Sequence, residues 1–313
     1  MASSGEMGEN ERWLAAIPGL GVRPGQPLAR LSTLRIGGPA ELYVEVGSER
    51  ALVALLQEAA RRRLAFQLLG LGSNVLVPDD GLPGIVARLG GELKRVRIRG
   101  LRLSAGAGAP LALAARKAAK AGLAGLEALA GFPSTVGGAV FMNAGCYGTE
   151  IKDVLRSARL VEPDGRRRRV EVADLRAGYR STCLQQTGAI VTRALFELGP
   201  GDPALLLARI EELNSRRWKS LPSGQANAGS IFKNPPGDSA GRLLDAAGLK
   251  GTSVGGALVS PKHANVIVNT GGATAADVVT LMRAMRDRAA EAFAVRLEPE
   301  IVLLGDLGER FRA

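Results

Sequence analysis

The sequence predicts an α+β protein in which a two-part N-terminal domain is followed by a smaller α+β module. Three observations carry that expectation. From Glu41 onward, short apolar strands alternate with amphipathic helices. The densest glycine region, 131–148, lies between two regular parts of the first two thirds of the chain. Gly199-Pro200-Gly201-Asp202-Pro203 then reads as a linker, after which a new run of helices and short strands begins. The expected partition is a lead-in over 1–30, a domain over 31–200 with an internal boundary near 90, and a C-terminal module over 201–313.

Each element has a local signal. Residues 1–30 look like a loosely ordered lead-in with at most a short helix. A strand is expected at 41–46, then a helix to Arg63 capped by Ser48, with Leu52, Leu55, Leu56 and Ala59 on one face. A short apolar strand at 66–69 leads into Gly70-Leu71-Gly72-Ser73-Asn74. Arg99-Gly100 is a hairpin turn, and Pro110 opens a helix to about Ala121. Strands 157–161 and 168–172 form a hairpin through Pro163-Asp164-Gly165, and 189–198 is a further strand. Beyond the linker come a helix at 204–218, a polar loop around Ser230, a helix near 238–247 and strands at 257–259 and 266–268. A long helix at 274–293 and a final strand at 300–304 close the chain. In that helix Val278, Leu281, Met282, Met285 and Phe293 form a core stripe rather than a ligand box.

The bulk numbers narrow the function classes. A chain of 313 residues with 46% hydrophobic and 23% charged residues is ordinary for a soluble protein with a sizeable core. No apolar run reaches the ~18 residues of a membrane span. The stretch from Met1 to Glu11 is polar, without the apolar core of a secretory signal. Two cysteines (Cys146, Cys183) and one histidine (His263) supply neither a disulfide framework nor a usual zinc site. A reduced, cytoplasmic, metal-free protein is expected. The net charge of +11 admits nucleic acid or small anionic ligands. Aromatic residues make up only 4% of the chain and do not interleave with the basic runs 61–63 and 166–169, which read as solvated surface.

Three polar segments carry the chemistry. Ala228-Gly229-Ser230-Ile231-Phe232-Lys233-Asn234-Pro235 delivers a hydroxyl, a ring, an ammonium and a carboxamide in one short stretch. Gly178-Tyr179-Arg180-Ser181 adds a guanidinium, and Leu297-Glu298-Pro299-Glu300 a carboxylate. Hydroxyl, guanidinium and carboxylate together suit a reaction that develops charge on a substrate carboxylate. A serine in a turn more often bonds only local backbone, so Ser230 alone says little. Two glycine-rich segments accompany these. The turn 70–75 suits a pyrophosphate nest or, equally, a structural hairpin, and lacks the pattern of a Rossmann fingerprint or a Walker loop. The segment 131–139 holds three glycines and two hydroxyls, which favours a dinucleotide cofactor over a tightly folded turn.

These residues together make the chain resemble the UDP-N-acetylenolpyruvoylglucosamine reductase (MurB) family. The motifs run in order from Thr33-Leu34-Arg35-Ile36-Gly37-Gly38 through Gly72-Ser73-Asn74, the 131–148 region and Tyr179-Arg180. They continue with the Ser230 segment, Gly248-Leu249-Lys250-Gly251, Lys262-His263-Ala264-Asn265 and Leu297-Glu298-Pro299-Glu300. The resemblance implies a two-part FAD domain of the vanillyl-alcohol-oxidase (PCMH) type, followed by a substrate-binding α+β domain. It implies non-covalent FAD held by Gly70, Gly72, Ser73, Asn74 and Val75 and by Pro133, Thr135, Val136, Gly137 and Gly138. Arg35, Ile36, Gly37 and Gly38 would lie nearer the adenine. Arg180, Ser230 and Glu300 correspond to the catalytic residues, and Tyr179, Lys233 and Asn234 to substrate contacts. The short interval between Leu198 and Ser230 resembles the subtype lacking an extra tyrosine-bearing loop. Phe132, Ser134 and Asn227 depart from the usual pattern, and Cys146 stands where alanine is frequent.

The implied reaction has two halves. NADPH reduces the flavin, and the flavin then passes hydride to the vinyl carbon C3 of UDP-N-acetylglucosamine enolpyruvate. Arg180 would stabilise the charge that develops on the carboxylate, a protonated Glu300 would assist, and Ser230 would protonate C2 with a relay through water or Lys233. The product, UDP-N-acetylmuramate, belongs to peptidoglycan precursor synthesis. The partners implied are small molecules only, and the oligomeric state favoured is a monomer. Two other readings stand beside this one: an FAD-dependent oxidase on the same cofactor domain, and a basic RNA-binding protein without flavin.

Overall fold

The computed structural model describes residues 8–222 and 224–313. The sequence expectations for residues 1–7 lie outside the described residues. The chain divides into two compact units. Among the described residues the first comprises 8–26, 40–70 and 83–210, and the second comprises 27–39, 71–82, 211–222 and 224–313.

The first unit is built on two larger sheets. One has four strands in the order Leu20–Pro27, Pro39–Val46, Leu82–Leu89 and Phe66–Leu68, the last two parallel. The other has five, in the order Arg167–Glu171, Leu155–Val161, Ile190–Glu197, Arg102–Gly106 and Val96–Arg99, all antiparallel. The helix Glu49–Arg61 begins where Ser48 accepts a hydrogen bond from the Ala51 N–H at 3.0 Å. It buries Leu52, Leu55, Leu56 and Ala59, the face expected from their spacing. The lead-in is more ordered than its composition suggests. Helix Glu9–Ala15 buries Leu14, and Leu20–Pro27 is an edge strand. An edge position tolerates the Pro24-Gly25 pair that obscures this strand in the sequence. The arginine runs lie at the surface in ion pairs, Arg62 with Glu9, Arg167 with Glu49 and Arg168 with Glu162.

The second unit is built on a four-stranded antiparallel sheet in the order Ala226–Ser230, Val266–Asn269, Ala257–Val259 and Ser253–Val254. The helix Ala275–Phe293 starts at a capping box. Thr274 accepts from the Asp277 N–H, Asp277 accepts from the Thr274 N–H, and both distances are 3.0 Å. Its Val278, Leu281, Met282 and Met285 join Leu34, Ile36, Leu76 and Phe232 in one core. Val75–Leu76 pairs in parallel with Val302–Leu303, which brings the early turn beside the end of the chain. Among the described residues no helix is long and apolar enough to cross a membrane.

Candidate active site

The serine segment leaves its sheet at a defined point. Ser230 is opposite Val266, with a register shift between Asn227 and Ser230 where Asn227 Oδ1 accepts the Gly229 N–H at 3.0 Å. Ile231 and Phe232 then turn into the core and are fully buried. The Ile231 carbonyl accepts the Glu300 N–H at 2.8 Å, and Phe232 bridges to Pro299. Lys233 donates its N–H to the Glu298 carbonyl at 2.8 Å, and its ammonium lies 3.4 Å from the Glu298 carboxylate. The exposed Asn234 accepts the Ala240 N–H at 3.0 Å, capping the next helix. The Asn74 carboxamide donates to the Glu300 carbonyl at 3.0 Å, and the Asn74 carbonyl accepts from the Val302 N–H at 3.0 Å. Hydrogen bonds in the second unit thus join residues 231–233 to 298–300 and Glu300 to Asn74, from segments over 200 residues apart in the chain.

Arg180 belongs to the first unit. It has a left-handed backbone (φ 52°), within a turn closed by Gly178 and Ser181. Its guanidinium donates to the Gly145 carbonyl at 3.0 Å and lies 4.9 Å from the centre of the Tyr179 ring. The turn hangs on Asn143, which is 1% exposed and also left-handed (φ 41°). The Asn143 amide donates to the Gly178 carbonyl at 2.9 Å and to Glu150 at 3.0 Å, and its oxygen accepts the Lys152 N–H at 3.0 Å. Backbone strain of this kind clusters at functional sites.

The expected cofactor residues divide between the units. Gly70 and 133–138 lie in the first, Arg35 to Gly38 and Gly72 to Val75 in the second. Ile36 and Val136 are core residues, 3% and 0% exposed, so their side chains serve packing. The N–H groups of Val136, Gly137 and Gly138 are already taken by Ala109 O, Ala107 O and Thr135 Oγ1. Glycine at 38 and 72 is required by the chain itself. A Cβ on Gly38 would meet the Asp79 carbonyl at 2.2 Å, and one on Gly72 the Leu31 carbonyl at 2.1 Å. One observation does point to a bound polar group. Ser32 Oγ, beside Gly72, is the one buried side-chain polar atom without a partner among the described residues. A hydroxyl donor there fits a dinucleotide, which is rich in acceptor oxygens.

Two supporting residues receive no role from the sequence. Asn143 is one. Arg88 is the other: it donates to the Gly70 carbonyl at 2.7 Å and hydrogen-bonds Tyr43, whose pKa burial raises. A cation inside the apolar strand Leu82–Leu89 was the available cue. Elsewhere in the second unit the Arg242 guanidinium and the Ser239 N–H hold the Asp238 carboxyl at about 2. Burial and then the Lys250 charge lower the pKa of His263, which favours the neutral imidazole.

Comparison with known proteins locates the chain. Residues 40–171 match the model of an FAD binding domain. Residues 221–304 match that of the UDP-N-acetylenolpyruvoylglucosamine reductase C-terminal domain. UDP-N-acetylenolpyruvoylglucosamine reductase 2 of Symbiobacterium thermophilum is 44% identical over 299 residues, covering 96% of this chain and 97% of the relative. The reductase of Phenylobacterium zucineum is 45% identical over 282 residues, 90% and 94% of the two chains. The crystal structure of the reductase (MurB) from Thermus caldophilus superposes with a TM-score of 0.79 at 39% identity, over 91% of this chain and 99% of that one.

Proposed function

Because the chain belongs to the UDP-N-acetylenolpyruvoylglucosamine reductase family, we propose that it reduces the enolpyruvyl group of UDP-N-acetylglucosamine enolpyruvate to give UDP-N-acetylmuramate. It is an FAD-dependent oxidoreductase of peptidoglycan precursor synthesis, with NADPH as co-substrate. FAD, when bound, supplies the hydride for C3, having been charged by NADPH. Residues 31–200 serve the cofactor and residues 201–313 the substrate, and the reaction belongs in the cytoplasm.

The residues of this chain do the rest. The Arg180 guanidinium binds the substrate carboxylate and stabilises the charge that hydride addition drives into it. The Ser230 hydroxyl gives its proton to C2, with Lys233 close in sequence to favour the alkoxide left behind. Glu300 is the third residue of this set, its backbone held beside the Ser230 segment by its N–H bond to Ile231 O. Tyr179, Lys233 and Asn234 are the substrate contacts. Gly70 to Val75 and the 133–138 segment form the walls for FAD, with Arg35 to Gly38 nearer the adenine.

The observation that carries the reading is the bonding of Glu300 to Ile231, the residue after Ser230. It sets the backbone of the Ser230 segment beside that of Glu300. The test is an anaerobic visible spectrum of the FAD-loaded protein. The oxidised flavin band should bleach with NADPH and return on adding the UDP-enolpyruvyl sugar. A band that returns only with oxygen supports an oxidase on the same cofactor domain, and failure to bind FAD rules out both enzymes.

A further inference from the structure

We infer that Asn265 is the positioning residue for the proton-donating segment, setting Ser230 in register with Glu300; the inference rests on the role proposed for Ser230. Asn265 is 2% exposed and bonds only to backbone and to one imidazole. Its Oδ1 accepts the Phe232 N–H at 2.9 Å, and its Nδ2 donates to the Phe232 carbonyl at 2.8 Å. Its own carbonyl accepts the Ile231 N–H at 2.9 Å. The carboxamide therefore acts as a substitute strand partner where the ladder ends at the Ser230–Val266 pair. A primary amide matches an N–H and a C=O of one residue at once, and that match fixes which end is oxygen.

The other side of the same two residues is held by the C-terminal segment, through Glu300 N–H to Ile231 O at 2.8 Å and the Phe232–Pro299 bridge. Ile231 and Phe232 are thus clamped between Asn265 and residues 299–300, and Ser230 extends from the clamp. His263 completes it, its Nδ1 accepting the Asn265 N–H at 3.2 Å. A displacement of the order of 1 Å at a reacting group costs about 10²-fold in rate. Loss of the clamp should therefore act on the step that uses Ser230 and leave flavin reduction alone.

The test is a double-mutant cycle on the holoenzyme with Asn265→Asp and Ser230→Ala, read by stopped-flow in the two half-reactions. Asn265→Asp keeps the acceptor for Phe232 N–H but removes the donor to Phe232 O. Reoxidation by the UDP-enolpyruvyl sugar should slow about 10²-fold, while reduction by NADPH and FAD affinity stay within about 2-fold of wild type. In the Ser230→Ala background the same change should add almost nothing. Equal loss in both half-reactions, no loss, or full additivity with Ser230→Ala overturns the inference. Ser230→Ala alone separates the two ideas: if it reoxidises at the wild-type rate, the role of the serine has failed instead. Should Asn265→Asp not fold, His263→Leu takes its place, expected to slow reoxidation selectively, with His263→Asn restoring it through an equivalent acceptor. Equal behaviour of the two histidine variants also overturns the inference.

Discussion

Removing the Asn143 side chain should unfasten the Arg180 turn and cost stability that can be counted. Three hydrogen bonds are lost in Asn143→Ala: to Gly178 O at 2.9 Å, to Glu150 at 3.0 Å and from Lys152 N–H at 3.0 Å. At about 1 kcal/mol each, the charged acceptor worth more in principle but partly exposed, they sum to about 3 kcal/mol. Asn143 also sits at φ 41°, where alanine pays a further ~1 kcal/mol that asparagine and glycine largely escape. Asn143→Ala should therefore cost about 4 kcal/mol and Asn143→Gly about 3 kcal/mol. Urea unfolding followed at Trp13 gives the number, because Trp13 packs on the core of the first unit. Trp218 is 66% exposed, so Trp218→Phe removes the competing signal at little cost. A loss below ~1 kcal/mol for alanine, or a glycine variant less stable than the alanine one, refutes this account of the turn.

Three further outcomes are expected. Ser230→Ala should keep flavin reduction by NADPH and slow reoxidation by substrate by about 10²–10⁴-fold, the range of general acid catalysis, in stopped-flow absorbance. Gly72→Ala should lower the melting temperature of the flavin-free protein by at least ~5 °C, because its Cβ would overlap the Leu31 carbonyl at φ 68°; an unchanged melting temperature with weaker FAD binding would assign that glycine to the ligand. Asp238 has its folded pKa depressed to about 2 from 3.8, so the stability it contributes is present above the unfolded value and lost as pH falls through about 2. Carboxyl-carbon NMR should give that midpoint, and Arg242→Gln should return it toward 3.8.

Local signals made much of the fold legible. Ser48 caps its helix where the sequence places a cap, and Pro163-Asp164-Gly165 and Arg99-Gly100 turn the expected hairpins. Signals that depend on distant chain were not legible. Segments 27–39 and 71–82 join the second unit through pairings such as Val75–Leu76 with Val302–Leu303, to which no local pattern contributes. The strand Leu20–Pro27 alternates only weakly and is broken by proline, as an edge strand can be.

The site divides along the same line. Ser230, Arg180 and Glu300 stand in motifs whose residue types announce chemistry, so they could be named. Ile36 and Val136 stood in motifs too, yet their side chains are core, because a motif marks a stretch of backbone and not each side chain within it. Asn143 and Asn265 also lie in stretches that the motifs cover, yet nothing local gave either of them a role. A lone asparagine reads as a turn residue, and its meaning comes from a partner found only by folding: Gly178, 35 residues away, and Phe232, 33 residues away. Each is buried, and each satisfies backbone groups of a segment that carries a proposed catalytic residue. A buried amide is tolerated only when every polar atom finds its partner, so a catalytic loop hung on one has few other geometries open to it. The backbone placement of the Ser230 and Arg180 segments thus depends on two buried amides. A search for supporting residues in such chains should therefore start from buried asparagines rather than from the charged residues around the site.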